Sequence, residues 1–169
     1  MGTPSCQNIL PYLKPGWVGV EIGVQWGISA LAMLQHGCFL YLVDPWVNYE
    51  GFGSVSGPKW DAIQEEIYRE CRDRLAPYDD GRHFAILRMK SEDAARFIPD
   101  NLDFVWVDGN HARDYVKRDL ELYWPKIRRG GILCGHDYGG EVKEAVDAFA
   151  DSIVSFVVPK EGSCWVIFK

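Results

Sequence analysis

The residues that could do chemistry lie in a few short stretches. The first is Glu21-x-Gly23-x-x-x-Gly27, between an apolar run and a helical pattern. A glycine-rich turn from strand to helix lets backbone N–H groups approach a ligand closely. The second is Asp44, roughly 20 residues beyond Gly23, where an acidic side chain can accept both hydroxyls of a ribose. Together they point to a ligand that contains a nucleoside. A dinucleotide turn asks for G-x-G-x-x-G, with helix amides aimed at a pyrophosphate. Here Glu21 stands in place of the first glycine. A carboxylate there repels a pyrophosphate and favours a cation. No G-x-x-x-x-G-K-[ST] occurs, so a P-loop is excluded. The turn suits a nucleoside with positive charge and no phosphate. Further along lie Ser91, Asp108, His111, His136 and Asp137.

The elements that must position these residues alternate. Apolar runs at 18–22, 39–43, 84–87, 102–107 and 132–135 read as strands, and 153–158 and 164–168 as two more. Helical spacing predicts helices over 29–35, with Gly37 as its stop, and 60–75. It predicts a short one over 91–97 with Ser91 as N-cap, and others carrying Val116–Ile127 and Val142–Phe149. Strands alternating with helices imply a parallel sheet covered on both faces. The short turn between the last two strands can join only an antiparallel pair. The fold class expected is therefore α/β. It is a single Rossmann-like, doubly wound, mostly parallel seven-stranded sheet with a reversed last strand. The whole of 1–169 reads as one domain. In open sheets of this kind ligands bind beyond the carboxyl ends of the strands. Every polar residue named above lies at such an end.

A cationic, phosphate-free nucleoside describes S-adenosyl-L-methionine. VEIGVQWG, residues 20–27, resembles the first motif of class I S-adenosylmethionine-dependent methyltransferases. YLVDPW, residues 41–46, resembles their ribose-binding strand end. DFVWVDGNHARDYVKRDLELYWPKIRRGGILCGHDY, residues 103–138, resembles the D-G-x-H … D-L … G-G … H-D-Y signature of a small-molecule branch that includes metal-dependent sugar O-methyltransferases. The resemblance implies an enzyme that moves a methyl group to a hydroxyl of a sugar or other small-molecule acceptor. It places Glu21, Gly23 and Gly27 under the methionine part, Asp44 on the ribose, and Met89, Lys90 and Ser91 around the adenine. Asp108 and Asp137 become ligands of Mg²⁺ or Mn²⁺, with Asp108 also close to the donor, and His111 becomes the general base. His136 becomes a further metal ligand, at a position where some members carry a second acid.

Each residue has a structural alternative. Asp108 could cap the next helix or hold the ligand amine without a metal. His111 could face solvent in the first helical turn, and His136 could be a hydrogen-bonded strand-end histidine. Asp119 could turn inward with Tyr115, but a solvated helix face is its expected place. Other functions compete as well. His111, Asp108 and His136 could form a two-histidine, one-carboxylate iron site of an oxygenase. The chain could bind a nucleoside without catalysis, or act as an NAD-dependent dehydrogenase, which Glu21 disfavours.

Composition sets the outer limits. The formal net charge of −6 argues against a broad phosphate-binding surface, so no nucleic-acid partner is expected. No apolar run approaches the ~20 residues that cross a bilayer, so no membrane partner is expected. The N-terminus has no secretory pattern, and five scattered cysteines without C-x-x-C suit a reducing, cytoplasmic setting. The loop 45–58, with Trp46, Tyr49 and Phe52, reads as an apolar lid. Only residues 1–16 precede the first strand, so the acceptor pocket is expected to be open or completed by a second subunit of a homo-oligomer.

Overall fold

The computed structural model describes residues 3–47 and 58–169. Its strands are β1 (Val18–Ile22), β2 (Phe39–Val43), β3 (Phe84–Leu87), β4 (Leu102–Val107), β5 (Ile127–Gly135), β6 (Val158–Lys160) and β7 (Cys164–Phe168). They form one sheet in the order β3-β2-β1-β4-β5-β7-β6. The first five pair in parallel, and β7 runs antiparallel to both β5 and β6. The reversed last strand is as expected. The helices are α1 (Ile28–Gln35), α2 (Pro58–Leu75), α3 (Ser91–Ala94), α4 (Arg113–Tyr123) and α5 (Gly140–Ser152).

The strands are apolar on both faces because helices cover both. Val105 and Val107 of β4 join α4 and α5 residues such as Val116, Leu120, Val146 and Phe149 on one side. Phe104 and Trp106 point the other way, against Met33, Leu34, Ile67 and Cys71 of α1 and α2. Each large side chain buried this way contributes roughly 1.5–3 kcal/mol. Among the described residues no helix is long and apolar enough to cross a membrane.

Four local expectations are revised. β6 begins at Val158 rather than 153, because Val154 takes a positive φ of 55° that breaks an extended run. β5 begins earlier, at Ile127, and absorbs Gly130-Gly131 through a register shift opposite Leu102 and Phe104. The segment before β1 folds into two 3-10 turns, Ser5–Asn8 and Leu10–Tyr12. It buries Cys6, Ile9 and Leu13 against α1 and α2, where the sequence pattern gave no element. Trp46 is no lid residue: it is buried and packs on Tyr68 of α2 with ring centroids 4.8 Å apart. Tyr49 and Phe52 lie outside the described residues.

Candidate functional site

A cavity of about 420 Å³ opens at the carboxyl ends of β1 to β5. Its floor is the turn after β1. Gly23 has φ +86°, and a Cβ there would stand 2.2 Å from the Asp108 carbonyl oxygen. Only glycine lets the β1 and β4 turns meet this closely. Gly27, with φ +72°, serves packing instead. Its Cβ would stand 2.7 Å from Cys71 Sγ, so its bareness seats α1 on α2. Gly23 lines the cavity and Gly27 does not.

Glu21 lines the same floor with only 1% of its surface exposed. Among the described residues its Oε2 has no hydrogen-bond partner. Burial first, then the nearby Asp108 and Asp44 carboxyls, push its pKa well above the usual carboxylate range. A buried acid with an orphaned oxygen beside ligand space is costly alone and is relieved by a cation. The donor set thus fits a cationic nucleoside such as S-adenosylmethionine.

Asp44 at the end of β2 is held by backbone. The Gln25 N–H donates to its Oδ2 at 2.9 Å and the Trp46 N–H to its Oδ1 at 2.7 Å. Burial raises its pKa, and these N–H groups oppose the rise. Gln25 and Trp46 both sit at positive φ, 48° and 44°. The Trp46 indole N–H donates to the Gln25 carbonyl at 2.9 Å and ties the two turns together. Strained backbone of this kind persists where its surroundings hold it.

At the β3 end, Lys90 and Ser91 line the cavity, while Met89 packs against the α4–α5 core. Ser91 is not an N-cap. It is the first residue of α3, and its hydroxyl donates to Asp119 Oδ1 at 2.5 Å. Asp119 also departs from expectation: it is 4% exposed and lines the cavity rather than solvent. Burial pushes its pKa up to about 7, with Glu92 adding to the rise and the Ser91 bond and Arg118 opposing it. The sequence held a signal for this. Val116, Asp119, Leu120 and Tyr123 share one helical stripe, and a carboxylate on an apolar stripe is a buried one.

At the β4–β5 end two carboxylates face two histidines. Asp137 Oδ2 lies 3.2 Å from His111 Nε2 and 3.2 Å from His136 Nδ1. Asp108 Oδ1 lies 4.0 and 3.9 Å from the same two nitrogens. One ligand atom each from Asp108, His111 and Asp137 fall within 4.8 Å of one another, whereas His136, the histidine expected as a ligand, belongs neither to that group nor to the cavity lining. Asp137 has φ 53°, a strained conformation for a non-glycine residue. Burial raises the Asp108 pKa, and a hydrogen bond from Ser5 opposes the rise. That bond, Ser5 Oγ to Asp108 Oδ2 at 2.7 Å, spans 103 residues and had no local signal. Carboxylate oxygens suit Mg²⁺ or Mn²⁺, and an imidazole nitrogen among them shifts the balance toward Mn²⁺ or Fe²⁺. Among the described residues around the cavity, six carboxyls (Glu21, Asp44, Glu92, Asp108, Asp119, Asp137) face one lysine, Lys90.

A family model described as a methyltransferase domain matches residues 20–138, which span all of these strand ends. The chain belongs to the methyltransferase-domain family. Solved structures agree on the fold of this methyltransferase. The O-methyltransferase NovP is 19% identical, with a TM-score of 0.69 over 98% of this chain and 76% of that one. An O-methyltransferase from Bacillus cereus in complex with SAH is 12% identical, with a TM-score of 0.66 over 100% of this chain and 83% of that one. An rRNA methylase from Streptococcus thermophilus is 11% identical, with a TM-score of 0.64 over 99% and 95%. A search of curated proteins returns no match. These neighbours correct one expectation. Net charge had excluded a nucleic-acid partner, yet rRNA methylases stand among the similar structures. Formal charge sums over the whole surface, so it does not decide between acceptors.

Proposed function

We propose that this methyltransferase transfers the methyl group of S-adenosylmethionine to a hydroxyl oxygen of a sugar or other small molecule, with a divalent cation at Asp108, Asp137 and His136. The observation that carries the proposal is the facing of two carboxylates and two histidines at the β4–β5 end of the cavity. When bound, the donor supplies a methyl group on a cationic sulfur, and the ion supplies a Lewis acid that makes a hydroxyl easier to deprotonate.

The chain's own residues supply the rest. Glu21 offers its unpartnered oxygen to the positive part of the donor. Asp44 keeps lone pairs for the ribose while the Gln25 and Trp46 N–H groups fix its rotamer. Ser5 holds Asp108 so that Oδ1 turns toward the histidines. Exposure separates those histidines. His136 has 24% of its side chain exposed and His111 has 51%. His136, the deeper, would complete the ion's ligands, its Nδ1 lying 3.2 Å from Asp137 Oδ2 and 3.9 Å from Asp108 Oδ1. His111, at the rim where an acceptor must arrive, takes the hydroxyl proton. The Asp137 carboxylate lies 3.2 Å from His111 Nε2, close enough to orient the ring.

The test is a methyl-transfer assay with S-adenosylmethionine against sugars, catechols and RNA, with EDTA and then Mg²⁺ or Mn²⁺. The expected result is an O-methyl ether found by mass spectrometry, lost with chelator and restored by metal. Transfer that ignores the chelator, or transfer to RNA alone, would overturn the reading.

A further inference from the structure

Ser5 and Ser29 carry two hydroxyls whose hydrogen bonds run in one direction. Both residues line the cavity. Ser5 Oγ donates to Asp108 Oδ2 at 2.7 Å and lies 2.8 Å from Ser29 Oγ. A serine hydroxyl holds one hydrogen. Ser5 gives its own to Asp108, so the hydrogen between the two serines comes from Ser29. Ser29 Oγ in turn accepts the Cys6 N–H at 3.4 Å and keeps one lone pair. Toward a ligand, Ser29 is therefore an acceptor only.

Fastenings outside the cavity hold this geometry. The Cys164 thiol donates to the Ser5 carbonyl at 3.2 Å, and the Cys6 thiol to the Ser29 carbonyl at 3.6 Å. Asn8 Nδ2 donates to the Glu161 carbonyl at 2.8 Å. The segment before β1 is thus pinned to α1 and to the β6–β7 turn, with Ser5 set between the donor helix and Asp108.

The two ends of this chain face different ligands. Ser29 sits in the first turn of α1, and Glu21, with its unpartnered Oε2, near the end of β1 just before it. Two acceptors so placed suit the ammonium group of the methyl donor. Asp108, at the other end, keeps Oδ1 for the cation. We propose that Ser29 and Ser5 relay methyl-donor binding to the cation end, so that donor and cation tighten each other. The proposal rests on the donor and cation readings above. An ammonium N–H on Ser29 polarises its hydroxyl, which strengthens the bond to Ser5 and then the bond to Asp108. Oδ2 is held more firmly, and Oδ1 is presented in one orientation. Charge acting through space gives the opposite sign, because an ammonium and a divalent cation repel. Mutual tightening is therefore the mark of the relay. Linkage makes it equal in both directions, and metal-free buffer removes it from the donor's affinity.

The alternative is that the two hydroxyls only fasten the segment before β1. Titration of Mn²⁺, with the free ion read by electron paramagnetic resonance, separates the two when run with and without saturating S-adenosylhomocysteine. That ligand keeps the ammonium and lacks the sulfonium. The wild type should bind Mn²⁺ ~5-fold more tightly in its presence. Ser29→Ala should bring this ratio within ~2-fold of one, and leave Mn²⁺ affinity without the ligand within ~3-fold of wild type. Ser5→Ala should lose the ratio too, and bind Mn²⁺ ~10-fold more weakly throughout. Thermal unfolding of both variants should stay within a few degrees of wild type. If both variants keep the wild-type ratio, or if that ratio is one or less, the relay is wrong and the donor and cation readings stand. If S-adenosylhomocysteine binds and Mn²⁺ does not, the cation reading falls and the relay with it. If the wild type binds neither, the donor reading falls as well.

Discussion

At the β1–β3 end of the cavity, Asp44 has each oxygen on a backbone N–H and Asp119 accepts a serine hydroxyl. At the β4–β5 end, Asp108 and Asp137 face two histidines across 3.2 to 4.0 Å, on a backbone strained at Asp137. Both ends are acidic, but their acids are satisfied differently. At the first end Asp44 and Asp119 are held by neutral donors from the chain itself, while Glu21 keeps one oxygen without a partner among the described residues. The second has its oxygens and ring nitrogens converging on one another, an arrangement that a cation between them would satisfy. A rigid end that recognises and a convergent end that reacts is a division of labour suited to group transfer.

The comparison breaks most visibly at Asp137. Asp137→Asn should cut kcat/KM by ~10³-fold or more, about 4 kcal/mol of transition-state stabilisation. Affinity for S-adenosylhomocysteine should stay within ~3-fold, since the lost group lies at the reacting end. Steady-state kinetics and titration on one preparation check both halves. Equal losses in the two would mean that the ends are not separate.

Next comes Asp119. Its folded pKa of about 7 lies above the unfolded value near 4. The native state therefore holds the proton more tightly, and stability falls as pH rises from about 4 through 7. Asp119→Asn removes this slope and should gain roughly 3 kcal/mol on wild type between pH 5 and pH 8. Urea unfolding at the two pH values reads it. Parallel behaviour of the two proteins would show that Asp119 does not titrate there.

Asp44→Asn replaces one of the two oxygens that accept backbone N–H groups with a donor. Affinity for S-adenosylhomocysteine should drop by ~30-fold, about 2 kcal/mol, with metal binding unchanged. The smallest effect is at Trp46. Trp46→Phe deletes the indole N–H that binds the Gln25 carbonyl. About 1 kcal/mol of stability should go, with a fall in Tm of ~3 °C by calorimetry.

Much of the architecture was legible. The five parallel strands announced themselves as short apolar runs, and the turn before β7 was too short for a parallel crossover, so its reversal followed. Gly23, Asp44, Asp108, His111, His136 and Asp137 each follow a strand and Glu21 lies near the end of one, and a parallel sheet brings such positions to one edge. Periodicity also marked Asp119, on the same stripe as Val116 and Tyr123, yet a lone acid on a helix is expected in water.

What local pattern could not carry is contact between distant segments. Ser5 meets Asp108 across 103 residues, and Trp46 turns into the α2 core instead of over the site. The separate role of Gly27, seated against Cys71, depends on where α2 comes to rest. Sequence by itself determined the order of elements and which edge the candidate residues would share, because strand and helix periods and turn lengths are local properties. Which groups touch within that edge was decided only by tertiary packing. Burial and distance set whether a carboxyl binds a proton, a backbone N–H or a cation, and both exist only once the sheet has closed around its helices.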